Sequence, residues 1–132
     1  MTRHFDLVAH TDRTVLCAQE GQSRGWIDVC GYDELIPERG VAALVEGEQV
    51  ALFRTFDGML HAIGNRDPFS GAFVLSRGIV GSHDDVPTLA SPLFKQAFDL
   101  RTGRCLTEPE VSVPVYDVRR AGDRVEIRVR GT

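Results

Sequence analysis

The segment Arg124-Val125-Glu126-Ile127-Arg128-Val129-Arg130 alternates apolar and charged side chains without a break. Successive side chains of a strand point to opposite faces, so Val125, Ile127 and Val129 share one side and the charges the other. Wound as a helix, the same residues would spread around the whole circumference. One face is therefore buried and one wet, and the rest of the chain repeats the theme. Trp26-Ile27-Asp28-Val29-Cys30 alternates similarly. Val41 to Val45 and Gln49 to Phe53 flank Glu46-Gly47-Glu48, which reads as a tight hairpin. Asp57-Gly58 separates Phe53 to Phe56 from Met59 to Ile63, and a type I′ turn is expected because glycine accepts positive φ. Val111 to Tyr116 leads into a last hairpin through Ala121-Gly122-Asp123. Asp33 to Pro37 has room for a single helical turn before the proline stops it. No longer stretch carries a helical stripe. The expected class is all-β, an antiparallel sandwich or barrel.

At 132 residues the chain fits one domain, and a hydrophobic fraction of 42% is enough to fill a core. The net charge of −4, with arginines interleaved among carboxylates, excludes a broad basic field for nucleic acid or anionic lipid. Apolar runs such as Val41-Ala42-Ala43-Leu44-Val45 fall far short of the roughly 20 residues a spanning helix needs, so no membrane partner is expected. Cys17, Cys30 and Cys105 form no Cys-x-x-Cys pair and have no zinc spacing. An odd number of cysteines without a secretory apolar core near Met1 points to reduced thiols and a cytoplasmic chain.

Residues 1–24 are polar and weakly periodic, and are expected as a loosely ordered lead-in, with Val15-Leu16-Cys17-Ala18 able to pair as an edge strand. Residues 25–132 form the ordered domain. Within it, 64–99 breaks the strand rhythm with Gly71, Gly78, Gly81, Pro68, Pro87 and Pro92, and reads as a loop-rich lobe inserted into the β body. Catalytic frames do not assemble. There is no Gly-x-Ser-x-Gly around any serine and no Gly-x-Gly-x-x-Gly after a strand, so neither acyl chemistry nor nicotinamide binding by this chain is supported. His83-Asp84-Asp85 is the one local group of metal-ligating types, and no second set at suitable spacing completes it.

Two loops of the lobe carry the specific signal. The first is Asp67-Pro68-Phe69-Ser70-Gly71-Ala72, and the second runs from Ser91-Pro92-Leu93-Phe94-Lys95-Gln96 to Phe98-Asp99. They resemble the cluster loops of Rieske iron–sulfur proteins, Cys-x-His-x-Gly-Ala and Cys-Pro-x-His-x-x-x-Phe-Asp. Alignment on Gly71-Ala72 and Phe98-Asp99 places Asp67 and Phe69 at one ligand pair, Ser91 and Phe94 at the other. A Rieske centre needs two thiolates and two imidazoles, and none of the four positions supplies one.

The wider match is more specific. Gly64-Asn65-Arg66-Asp67-Pro68-Phe69, Leu75-Ser76-Arg77-Gly78-Ile79-Val80-Gly81, Ser91-Pro92-Leu93-Phe94-Lys95-Gln96 and Asp99-Leu100-Arg101-Thr102-Gly103 together resemble the NirD family, the small subunit of assimilatory NAD(P)H-dependent nitrite reductase. The resemblance covers Trp26 to Val129. It implies a Rieske-like fold without the [2Fe-2S] ligands, no catalytic, cofactor or metal residue in this chain, and a role in reducing nitrite to ammonium in nitrate assimilation. The implied partner is a large subunit that carries FAD, an iron–sulfur cluster and sirohaem.

Each loop residue has two readings. Phe69 and Phe94 either fill the space where imidazoles would sit or present aromatic anchors to the partner. Lys95 and Gln96 are either solvated or meet an acidic face and steer encounter. The carboxylate of Asp67 suits a turn in which it accepts backbone N–H groups. Three functions follow: an accessory nitrite reductase subunit, a protein-binding module unrelated to nitrite, or a true Rieske electron carrier. The third requires ligands that the aligned positions lack.

Overall fold

The computed structural model describes residues 7–10, 13–17, 19–20, 25–93 and 95–129, with side chains described from residue 25 onward. Ala18, Phe94 and Arg130, named above, lie outside the described residues, as does part of the expected lead-in. The strands are β1 (Leu7–His10), β2 (Arg13–Cys17), β3 (Gln19–Glu20), β4 (Trp26–Gly31), β5 (Val41–Val45) and β6 (Glu48–Arg54). They continue with β7 (Leu60–Gly64), β8 (Ile79–His83), β9 (Val86–Ala90), β10 (Ala97–Asp99), β11 (Val115–Ala121) and β12 (Arg124–Arg128). Nine form one sheet in the order β1-β2-β5-β6-β7-β11-β12-β4-β3, antiparallel apart from the β2–β5 pair. β4 also approaches β2 and β5, which brings the two ends of the sheet near each other. A second sheet, β10-β9-β8, lies within the loop-rich stretch.

The alternation at the C-terminus becomes geometry as expected. Val125 and Ile127 are fully buried on β12, while Arg124 and Arg128 pair outside with Asp28 and Asp117 at 2.9 and 3.0 Å. β4 departs from strict alternation because both Val29 and Cys30 are buried. Pairing of Val125 with Cys30 and of Glu126 with Asp28 leaves Val29 as an extra residue, a bulge that turns two neighbours inward. Burial pushes the Cys30 thiol up to about 12, with Glu34 and Asp28 adding to the effect against Arg124. Trp26 is half-buried under two guanidiniums, Arg119 at 4.1 Å and Arg128 at 4.6 Å from the ring centre.

The run Val50-Ala51-Leu52-Phe53 does not alternate because β6 is buried on both faces. Val50 and Leu52 join the core of the β body with Ile27, Val29, Val45 and Ile127. Ala51 and Phe53 point into a second core with Ile63, Leu75, Leu89, Phe98 and Leu100. β6 is thus the wall between the body and the segment that bears the loops.

Three turns refine the sequence reading. Glu46 and Gly47, at φ 51° and 83°, make the two-residue turn between β5 and β6. Asp57-Gly58 is not type I′, since only Gly58 has positive φ, at 88°. There Thr55 Oγ1 donates to Asp57 Oδ1 at 2.6 Å and Met59 N donates to the same oxygen at 3.1 Å, so side-chain bonds replace the second left-handed residue. The helical turn expected at Asp33 to Pro37 is a 3-10 turn at Tyr32–Glu34 that ends where Leu35 becomes extended.

Candidate functional site

The two loops share one backbone. In the first, Gly71 N donates to Asp67 O at 2.7 Å and Asp67 N to Ala72 O at 2.8 Å. In the second, Lys95 N donates to Ser91 O at 3.0 Å and Ser91 N to Gln96 O at 2.9 Å. The side chain that opens each loop accepts the N–H two residues on: Phe69 N reaches Asp67 Oδ1 at 2.8 Å, and Leu93 N reaches Ser91 Oγ at 3.2 Å. This is how Asp and Ser initiate turns, by offering the backbone a local acceptor. The fifth residue takes positive φ in both, 82° at Gly71 and 59° at Lys95.

A third turn repeats the pattern. Gly103 N donates to Asp99 O at 2.7 Å, Asp99 N to Arg104 O at 2.9 Å, and Arg101 N to Asp99 Oδ1 at 2.8 Å, with Gly103 at φ 80°. Burial raises the pKa of Asp99, but the Arg101 guanidinium and backbone N–H outweigh it, leaving the carboxyl below its ordinary value. His61 on β7 feels the same corner. Burial holds its imidazole below the ordinary histidine pKa despite the pull of Asp57 and Asp99.

The loops are tied to each other where two ligand positions meet. Ser91 Oγ donates to Asp67 Oδ2 at 2.6 Å, and both residues are buried. The remaining Asp67 oxygen is taken by Phe69 N, so both carboxyl oxygens are hydrogen-bonded without solvent, as buried polar atoms must be. Phe69 is half-buried, its ring centre 6.3 Å from that of Phe98 in the second core. Gln96 Oε1 accepts Thr107 Oγ1 at 2.8 Å, while Lys95 is exposed and Leu93 is half exposed beside it. Asn65, which opens the first loop, is buried and clamps it. Its Nδ2 donates to Gln49 Oε1 at 3.2 Å, and its Oδ1 accepts Ser76 N at 2.7 Å. Neither Asn65 nor the Asp67–Ser91 pairing follows from the sequence pattern, although the shared Asp-x-x-x-Gly spacing of 67–71 and 99–103 is visible there.

The family model of the Rieske-like [2Fe-2S] domain matches residues 25–128. The nitrite reductase (NADH) small subunit of Escherichia coli K12 is 42% identical over 104 residues, spanning 78% of this chain and 96% of that protein. The chain belongs to the NirD family of nitrite reductase small subunits. A crystal structure assigned to the NADH-dependent nitrite reductase small subunit of Mycobacterium tuberculosis superposes with TM-score 0.80 at 50% identity, covering 84% of this chain and all of that one. The match also extends to a large subunit: the nitrite reductase [NAD(P)H] large subunit of Klebsiella oxytoca is 37% identical over 103 residues, 78% of this chain but 11% of that one.

The cluster that the wider family's description names does not fit this member's donors. Asp67 and Ser91 spend their oxygens on each other and on loop N–H groups, and the Phe69 and Phe94 side chains have no donor atom. Among the described residues, no three His, Cys, Asp or Glu side chains gather as a metal site would require. No helix of the described residues is long and apolar enough to cross a membrane.

Proposed function

We propose that this chain is the small subunit of a two-subunit nitrite reductase and assists a large subunit in reducing nitrite to ammonium with NADH or NADPH. The observation that carries the reading is the Klebsiella large subunit, which includes within its own polypeptide a stretch matching this chain. A domain joined covalently to the large subunit in one organism works beside it, which argues for direct contact here. On this reading the electron carriers (FAD, an iron–sulfur cluster and sirohaem) belong to the large subunit, and the compartment is the cytoplasm. A subunit without redox groups influences turnover only by binding the partner's states unequally or by ordering it.

Residues 25–132 act as one Rieske-like domain, residues 1–24 as a lead-in, and 64–99 as the counterpart of a cluster-binding subdomain turned to docking. Lys95 and Gln96, which follow Phe94 in the sequence, form its tip. The left-handed φ of Lys95, a strained conformation for a residue with a Cβ, supports a presented rather than a merely solvated lysine. Phe69 anchors the tip from beneath through Phe98.

Reconstitution tests the reading. The purified large subunit is assayed for nitrite-dependent NADH oxidation with and without this chain. Stable association and higher turnover are expected when it is present, with no turnover by this chain alone. An unchanged large subunit that never binds it contradicts the proposal.

A further inference from the structure

Among the described residues, β8 is the outer strand of the small sheet and pairs with β9 alone. Asp84 and Asp85, at φ 52° and 68°, make the two-residue turn between them, so the closing pair His83–Val86 is hydrogen-bonded. Counting back along the register, Gly81–Thr88 and Ile79–Ala90 are bonded pairs, while Ser82–Pro87 and Val80–Leu89 are not. Pro87, which has no N–H to give, stands where none is required. The N–H and C=O of Val80 and Ser82 therefore point away from β9, and among the described residues no backbone group meets them.

A groove runs beside this edge. Two adjoining cavities, about 590 and 470 Å³, share Glu38 and Val80. Ile79, 71% exposed, lines one, and Phe56, 89% exposed, lines the other. Phe56 sits on a rigid support: its N–H donates to Glu38 Oε2 at 2.7 Å, and Tyr32 Oη holds Gly58 O at 2.7 Å. Soluble proteins blunt open edges with lysine, proline or a bulge, and Ile79-Val80-Gly81-Ser82-His83 has none of these. Arg39 and Arg77 line the Gly78 end, Asp57 and Asp85 the Ser82 end, and Glu38 lies between them on both cavities.

We infer that an extended segment of the large subunit pairs with the free edge of β8 as a fourth strand of the small sheet. It sets apolar side chains on Phe56 and Ile79, a basic residue toward Asp57 and Asp85, and an acidic one toward Arg39. Main-chain bonds to Val80 and Ser82 supply affinity, and the split charge fixes direction. The inference rests on the partner reading above and names a surface apart from the loop tip.

Amide hydrogen exchange on this chain, free and in the two-subunit complex, tests it. The Val80 and Ser82 amides are expected to exchange quickly in the free chain and at least tenfold more slowly in the complex. Ser82→Pro removes an outward N–H without touching the β9 ladder and is expected to weaken association at least tenfold. Phe56→Ala, on a turn whose bonds do not use the ring, is expected to weaken it as well. A complex that forms normally with unprotected Val80 and Ser82 overturns the inference and leaves the partner reading standing. Failure of the unaltered chain to bind at all overturns both. Protection already present in the free chain, or growing with its concentration, assigns the edge to this chain's own terminus or to a second copy, and also overturns the inference.

Discussion

The loops 67–72 and 91–96 have the same hydrogen-bond skeleton and opposite exits. The first opens on a buried carboxylate and closes on Gly71, where positive φ costs little. The second opens on a buried hydroxyl and closes on Lys95, which bears a side chain in the same left-handed region. One is relaxed and turned inward, the other strained and turned outward. In both, an Asp or Ser at the head accepts the turn's N–H, and the bond between the two heads ties the loops together. The third turn, 99–104, is the control, with the same skeleton and no part in a ligand pair.

Substitutions at equivalent places should break this similarity in graded fashion. Gly103→Ala is the most damaging: its Cβ would lie 2.1 Å from Val113 O and 2.9 Å from Val115 Cγ2, at φ 80°. Urea unfolding should show a loss on the order of 4 kcal/mol. Asp67→Ala strands the Ser91 hydroxyl and the Phe69 N–H in a buried place, for about 2–3 kcal/mol. A double-mutant cycle with Ser91→Ala should show strong coupling, because each side chain is the other's partner. Gly71→Ala meets only Arg66 Nη2 at 3.4 Å, so φ alone acts, at about 1 kcal/mol. Lys95→Gly reverses the sign and should stabilise the free chain by about 0.5–1 kcal/mol, while weakening association with the large subunit if the lysine is presented for docking.

The smallest effect is pH-dependent. The folded-state pKa of His61 lies below its unfolded value, so the unfolded chain binds the proton more readily. The stability that neutral His61 confers is complete above pH ~6.5 and is lost as pH falls toward the folded value. Asp99, also depressed, adds a loss in the same direction at lower pH. His61→Gln should flatten the first part of that decline in thermal melts taken across the pH range.

Legibility followed burial. β12 and β4 could be read because one face is apolar, and the bulge at Val29 is the one local departure. β6 read as a run because both faces are covered. β8 is hidden for the opposite reason: four of its five residues are exposed, so no apolar period marks it, and the polar Ser82-His83-Asp84-Asp85 stretch is its end and its turn. Resemblance marks the heads of the loops, and the chemistry of aspartate marks the Asp67 turn. The bond from Asp67 to Ser91 spans 24 residues, and no local pattern encodes it. The left-handed Lys95 was equally invisible, since lysine carries no preference for that region.

The Ser91–Asp67 hydrogen bond ties these loops together at two of the positions aligned with cluster ligands, in keeping with the proposal that electron transfer belongs to the large subunit. Iron and acid-labile sulfide analysis of the chain purified from iron-replete cells, with electron paramagnetic resonance after reduction, tests it most directly. Colourless protein with neither element and no reduced signal is expected. Stoichiometric iron and sulfide with a two-iron spectrum would contradict it.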